Sequence, residues 1–271
     1  GRQGHGKTHS KTRQHSLIRT TRGFKKILIA NRGEIARRVI ATCKKMGIQS
    51  VAVFSHADVR SLHVRDADDA VHIGPSPAQE SYLAKEKIID AALKHECQAI
   101  HPGYGFLSDN AEFADRVTEA GLVFIGPPAP VIASMGDKTT AKRLAATAGL
   151  SVVPGHPEPV AGIEAAQTAA NAIQYPILLK PAAGGGGKGM HVVTSERDLA
   201  PAFQTSQNEA LKAFGDDRIF LERFIERPRH VEIQIMADHH GNVISLGERE
   251  CSIQRRYQKI IEESPSPAVD P

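Results

Sequence analysis

Four consecutive glycines, Gly184 to Gly187, sit between Lys180 and Lys188 in the stretch KPAAGGGGKGM that runs from Lys180 to Met190. Ordering a glycine run costs more backbone entropy than ordering any other sequence. It therefore belongs where bare amides must come close to a partner, and the two lysines make that partner an anion. Phosphate is the obvious candidate. A Walker A loop is excluded, because Ala182 stands where its first Gly belongs and Gly189 where its Ser or Thr belongs. Gly184, Gly186 and Gly189 satisfy G-x-G-x-x-G, but that fingerprint must open a helix, and Met190, His191, Val192 and Val193 predict a strand. With Ile177, Leu178 and Leu179 before it, the run predicts the tip of a β-hairpin that folds as a lid over nucleotide phosphates. The competing reading is a flexible hairpin tip with incidental lysines.

A length of 271 residues suits about two domains. No stretch resembles a membrane span or the apolar core of a signal peptide. Six of the 34 basic residues lie in the acid-free residues 1–22, so 28 remain against 30 acids and the body is close to neutral. The basic balance belongs to this tail and argues for no nucleic-acid face. Residues 1–24 are expected to be a disordered tail, either a transit-type segment or a leader foreign to the natural chain. Cys43, Cys97 and Cys251 lack metal-type spacing and suit a reducing compartment.

From Lys26 the chain alternates between strand and helix. Ile27 to Ala30 predict a buried strand, and Ile35, Ala36, Val39, Ile40 and Cys43 one face of a helix ended by Gly47. Strands follow at Val51 to Phe54 and Ala70 to Ile73, then a helix with Ile88, Ile89, Ala92 and Leu93 as its apolar stripe. This βαβ series predicts a mainly parallel sheet. His101 to Asn110 is a loop at a strand's carboxyl end, where ligands sit in such sheets; two glycine turns anchored by aromatics explain it equally well. A helix at 110–120, a strand from Leu122 to Ile125 and the break at Gly126, Pro127 and Pro128 close the first unit. Asp137 can cap the next helix, Pro154 to Pro159 read as a linker, and a small α+β unit follows: a helix at 163–173, the glycine hairpin, a helix at 196–213 and a strand from Ile219 to Arg223. His230 to Met236 and Asn242 to Leu246 predict two more strands.

Four segments taken together resemble the biotin carboxylase component of biotin-dependent carboxylases, an ATP-grasp family, of the acyl-CoA carboxylase alpha-subunit type. They are Ile29 to Ala36, His101 to Asn110, Lys180 to Met190, and Arg229 to Glu232 with Glu248 to Glu263. The resemblance implies a Rossmann-like domain over 25–136 and an ATP-grasp domain over 137–271, with a lid at 152–224 and the start of its C-terminal part at 225–271. It also implies ATP-dependent carboxylation of biotin by bicarbonate through carboxyphosphate.

By the same resemblance Lys138 and Lys180 reach ATP phosphates, Gly185, Gly186 and Gly187 form the lid, and Met190 helps enclose the base. Glu222, Arg223, Phe224 and Ile225 form the adenine-contacting strand and linker, His230, Gln254 and Tyr257 lie near the ribose and phosphates, and Lys259 approaches bicarbonate. Cations offset charge on a transferring phosphoryl group, and amides without a Cβ approach it closely. Adjacent Glu262 and Glu263 point to opposite faces of a strand, so they do not share one Mg²⁺, whose ligands are expected beyond Pro271. The implied cofactors are ATP, Mg²⁺, bicarbonate and carrier-bound biotin. A biotin carboxyl carrier, a carboxyltransferase subunit and a second copy in a homodimer are the implied partners, and the cytoplasm or the mitochondrial matrix the implied location. Ala183, Lys188, Asp109, Tyr257, Ser264 and Ser266 depart from the family's usual residues. This stretch alone is expected to turn over negligibly; a non-catalytic nucleotide-binding or subunit-assembly module is the alternative.

Overall fold

The computed structural model describes residues 23–182, 189–255 and 258–269, apart from the side chain of Lys138. The chain divides into two compact units, at 1–138 and 139–271.

In the first unit β1 (Lys26–Ile29), β2 (Gln49–Ser55), β3 (Asp69–Gly74), β4 (Ala99–His101) and β5 (Val123–Phe124) form one parallel sheet in the order β3-β2-β1-β4-β5. Helices α1 (Gly33–Met46), α2 (Leu62–Asp66), α3 (Lys85–Lys94) and α4 (Ala111–Glu119) occupy the crossovers. The 3.6 period is plain in α1, where Ile35, Ala36, Ile40 and Cys43 are buried and left-handed Gly47 ends the helix. In α3 the buried residues are Ile88, Ile89, Ala91 and Ala92, while Leu93, expected in the stripe, is 47% exposed. The period fixes the direction of a stripe and leaves its width to the neighbours. A second departure follows the Gly-Pro-Pro break, where α5 (Ala129–Gly136) forms with a proline in its first turn.

The second unit begins with α6 (Lys138–Thr147), whose first residue sits at the division, and continues with α7 (Ile163–Ile173), β6 (Ile177–Pro181), β7 (His191–Val193), α8 (Glu196–Phe214) and β8 (Ile219–Arg223). The three strands make an antiparallel sheet in the order β7-β6-β8. Ile177, Leu179, Ile219 and Leu221 pack with Ala166 and Ala170 of α7 and Leu199 and Phe203 of α8. The expected linker from Pro154 to Pro159 is instead held to the sheet edge: Gly155 bridges to Glu222, the His156 amide donates to the Leu221 carbonyl and the Arg223 amide to the Pro154 carbonyl. Unpaired β8 backbone supplied these partners. Beyond it β9 (Val231–Ala237) and β10 (Val243–Glu250) form an antiparallel hairpin, and β11 (Gln254–Arg255) pairs with β12 (Gln258–Lys259). The strand expected to stop at Leu246 runs on to Glu250 past an irregularity at Gly247, whose φ is +86°. Among the described residues no helix is long and apolar enough to cross a membrane.

Candidate functional site

The strands on either side of the glycine run, β6 and β7, pair antiparallel, with Leu179 opposite His191 as the last described pair. The lid residues Gly185, Gly186 and Gly187 fall outside the described residues, as do Tyr257 and the side chain of Lys138. The far foot of the loop is fixed: the Ser206 hydroxyl of α8 donates to the Gly189 carbonyl at 2.7 Å, and Gly189, at φ +74°, passes Pro181 so closely that a Cβ would lie 2.9 Å from its Cγ. Met190 follows, half-buried.

At the near foot Lys180 donates to Glu222 Oε2 at 2.8 Å, while the Lys142 ammonium of α6 lies 3.5 Å from Oε1 and makes no hydrogen bond. Burial pulls the Glu222 carboxyl upward, but the Lys180 hydrogen bond and charge, with the Lys142 charge, outweigh it and hold the group below its ordinary value. Sequence reasoning missed Lys142; its spacing of four from Lys138 on one helix is the signal that could have found it. Arg223 turns its guanidinium away, to the Ile173 and Gln174 carbonyls at the end of α7, and the Phe224 amide donates to Pro176. The Ile225 side chain is exposed.

A second cluster forms on the β9–β10 hairpin. Register places Arg249 opposite Glu232, where its Nε donates to Oε1 at 2.8 Å and its second arm reaches Gln234 Oε1 at 3.0 Å. Lys259 donates to Glu232 Oε2 at 2.5 Å, and His230 Nε2 lies 3.5 Å from the same oxygen. Gln254 donates to the Cys251 carbonyl at 2.8 Å and lies 3.2 Å from His230 Nδ1. The Lys259 hydrogen bond, and after it Arg249 working against desolvation, hold the Glu232 carboxyl down to about 2; the same contact raises Lys259. Two site residues separated in sequence, His230 and Lys259, thereby face one carboxylate that sequence reasoning left unassigned, and Gln254 joins the group through His230.

Ligand atoms of Glu232, Cys251 and Glu262 lie within 4.8 Å of one another. They do not fit Mg²⁺: both Glu232 oxygens are taken by cations, and Cys251 is a buried soft thiol raised by that burial.

In the first unit the switch point between β1 and β4 is filled. Asn31, buried, donates to the carbonyls of Pro102 and Tyr104 at 2.8 Å each. The loop after β4 is thus two glycine turns, at Gly103 (φ +67°) and Gly105 (φ +65°), with Phe106 stacked on Tyr82 at 5.1 Å and Arg32 over both rings. Asp58, drawn up by burial but held lower by Tyr82, Ser55 and Arg32, ties that cluster to the end of β2.

Comparison with known proteins agrees with this architecture. Residues 23–132 match the biotin carboxylase N-terminal domain family, and residues 137–271 the ATP-binding domain of the carbamoyl-phosphate synthase L chain. The propionyl-CoA carboxylase alpha chain of Ruegeria pomeroyi is 53% identical over 91% of this chain and 36% of its own length. The biotin carboxylase of Halalkalibacterium halodurans is 52% identical over 91% of this chain and 55% of its own. Among solved structures, the Campylobacter jejuni biotin carboxylase in complex with β,γ-ATP superposes at TM-score 0.85 with 48% identity, over 92% of this chain and 56% of that one. The biotin carboxylase domain dimer of Hydrogenobacter thermophilus 2-oxoglutarate carboxylase, with MgADP, ADP and bicarbonate, superposes at 0.84 with 48% identity, over 92% and 55%. The chain therefore spans little more than half the length of the biotin carboxylases it matches. Fold, motifs and these likenesses agree, and the chain belongs to the biotin carboxylase family, of which it carries the N-terminal domain and the ATP-grasp segment that follows.

Proposed function

We propose that this chain supplies the nucleotide-handling part of ATP-dependent biotin carboxylation by bicarbonate through carboxyphosphate. One observation carries the reading: β6 and β7, which flank the glycine run, are paired, and Lys180 near the end of β6 presents an ammonium held by Glu222. Lys180 and the lid glycines bind and orient the phosphates, Met190 and the segment from Glu222 to Ile225 border the base, and His230 and Gln254 take the ribose side. ATP supplies the phosphoryl group that activates bicarbonate. Lys259, kept protonated by Glu232, offers a fixed cation for that anion, and Arg249 adds a second. Biotin arrives on a carrier domain, a carboxyltransferase consumes the product, and two copies associate as a homodimer. The relatives' names and the dimeric neighbour support these partners. The functional units are the domain at 25–136 and the segment at 137–271, with the lid at 152–224.

The test is binding of a fluorescent ADP analogue to the whole chain. Saturable binding displaced by ATP and not by GTP is expected, and Lys180→Met weakens it about tenfold. Absence of saturable binding by the unaltered chain overturns the proposal.

A second reading, subunit assembly, rests on the β9–β10 hairpin, where Ile233, Ile235, Met236, Val243, Ile244 and Leu246 are all more than half exposed. Co-purification with a full-length carboxylase alpha chain tests it, and separate elution rejects it.

A further inference from the structure

Two lysines from different elements face one carboxylate, and they do so unequally. Lys180 of β6 holds Glu222 Oε2 at 2.8 Å; Lys142 of α6 waits 3.5 Å from Oε1, its buried Nζ without a hydrogen bond. All three side chains are about three-quarters buried, and the group carries one positive charge in excess. Space for the waiting ammonium is kept by Gly155, where a Cβ would lie 2.8 Å from Lys142 Nζ and 3.0 Å from Glu222 Cγ; the backbone bridge from Gly155 to Glu222 fixes that spacing.

We propose, resting on the nucleotide reading above, that Lys142 is a standby counter-ion: it takes over Glu222 when Lys180 leaves the carboxylate for a nucleotide phosphate. Lys180 cannot serve both anions at full strength. Transferring it to phosphate without a replacement leaves Glu222 charged, largely buried and unpaired, which is strongly unfavourable. Closing the Lys142 gap to charge-assisted hydrogen-bond distance takes a shift of less than about 1 Å. The excess positive charge is then matched by the incoming phosphate, and Glu222 with Lys142 remains as a neutral pair. Among the described residues no other titratable group competes for the carboxylate. The His156 ring faces the Glu158 carbonyl at 2.7 Å, and Arg223 faces the α7 carbonyls. Lys142 is thus a positioning residue, acting on the nucleotide through Glu222 and Lys180.

The test uses the whole chain, its Lys142→Met and Lys142→Arg variants, and a fluorescent ADP analogue, with affinity and proton uptake measured from neutral to mildly acidic pH. The unaltered chain is expected to bind with little proton uptake. Lys142→Met binds about tenfold more weakly at neutral pH, takes up a proton from solvent onto Glu222 as it binds, and recovers affinity as pH falls. Lys142→Arg restores the unaltered behaviour. A lysine with only a structural role lowers affinity equally at every pH, and that result, or unchanged affinity in Lys142→Met, overturns the inference while leaving nucleotide binding by the unaltered chain intact. No binding by the unaltered chain overturns the nucleotide reading, and this inference with it. Carbon NMR of the unliganded variant adds a control that needs no nucleotide: the Glu222 carboxyl titrates higher in Lys142→Met than in the unaltered chain, and an unchanged titration rejects the three-residue group.

Discussion

Asn31 lies directly beneath Gly103: a Cβ on that glycine would sit 2.7 Å from Asn31 Nδ2, the same nitrogen that donates to the Pro102 and Tyr104 carbonyls. An amide from the end of β1 therefore closes the crevice that an open parallel sheet otherwise offers to a ligand. Gly103→Ala adds a methyl group into this contact at φ +67°. Destabilisation of the first unit by about 2 kcal/mol is expected, from strain together with displacement of Asn31. Urea unfolding checks it, and a midpoint unchanged from the parent would show that the loop yields freely.

Tyr82→Phe keeps the ring stacked on Phe106 and removes one oxygen. That hydroxyl donates to Asp58 at 2.7 Å and accepts from the Ser55 amide at 3.2 Å, so its loss strands a buried donor. The expected cost is about 1–3 kcal/mol. The Asp58 carboxyl rises at the same time, because the Tyr82 hydrogen bond is the strongest of the effects holding it down against burial. Unfolding at neutral pH and carboxyl NMR give the two readouts.

Acid should loosen the β9–β10 hairpin. Glu232 is held at about 2 against an ordinary 4.5, so the folded state favours its ionised form. The stability it contributes is fully present above about 4.5 and is lost as pH falls from there through about 2. Glu232→Gln removes that acid limb and weakens the hairpin at neutral pH, since Arg249 and Lys259 lose their shared partner. Hydrogen exchange of β9 amides across this window reports the effect directly, and equal acid slopes in parent and variant would count against it.

His63 predicts a second, higher window. The residue is fully buried in α2, with Nε2 3.2 Å from the Val53 carbonyl and Nδ1 without a partner. Burial lowers its proton affinity below the ordinary 6.5. The unfolded chain then binds the proton first, so stability falls as pH drops below about 6.5. His63→Gln should flatten thermal stability between neutral pH and about pH 5, whereas a slope as steep as the parent's would place its origin elsewhere.

Much of the architecture was legible because it is locally encoded. The period of α1, its glycine stop and the alternation of strands with helices each depend on neighbours within a few residues. Leu93 and Ala91 exchanged roles in α3 because burial there depends on how far the sheet extends beneath the helix. Residues from Pro154 onward read as linker because their partners, Leu221 to Arg223, lie far along the chain. Pro127 and Pro128 promised a break and delivered one, and a further proline, Pro130, then fitted the first turn of α5.

The candidate site divides along the same line. Composition alone marked the glycine run and Lys180, since four adjacent glycines beside lysines have few other uses, and strand pattern placed them on a hairpin. No local rule pairs Lys180 with Glu222, 42 residues away, sets Lys142 of another helix behind the same carboxylate, or closes Lys259 and Arg249 onto Glu232. Sequence fixed the periodicities and therefore the elements, because those preferences act over one turn or one strand. Only the tertiary structure decided which charges share a carboxylate, because Coulomb pairing and desolvation depend on through-space distance, which strand register and helix packing set together.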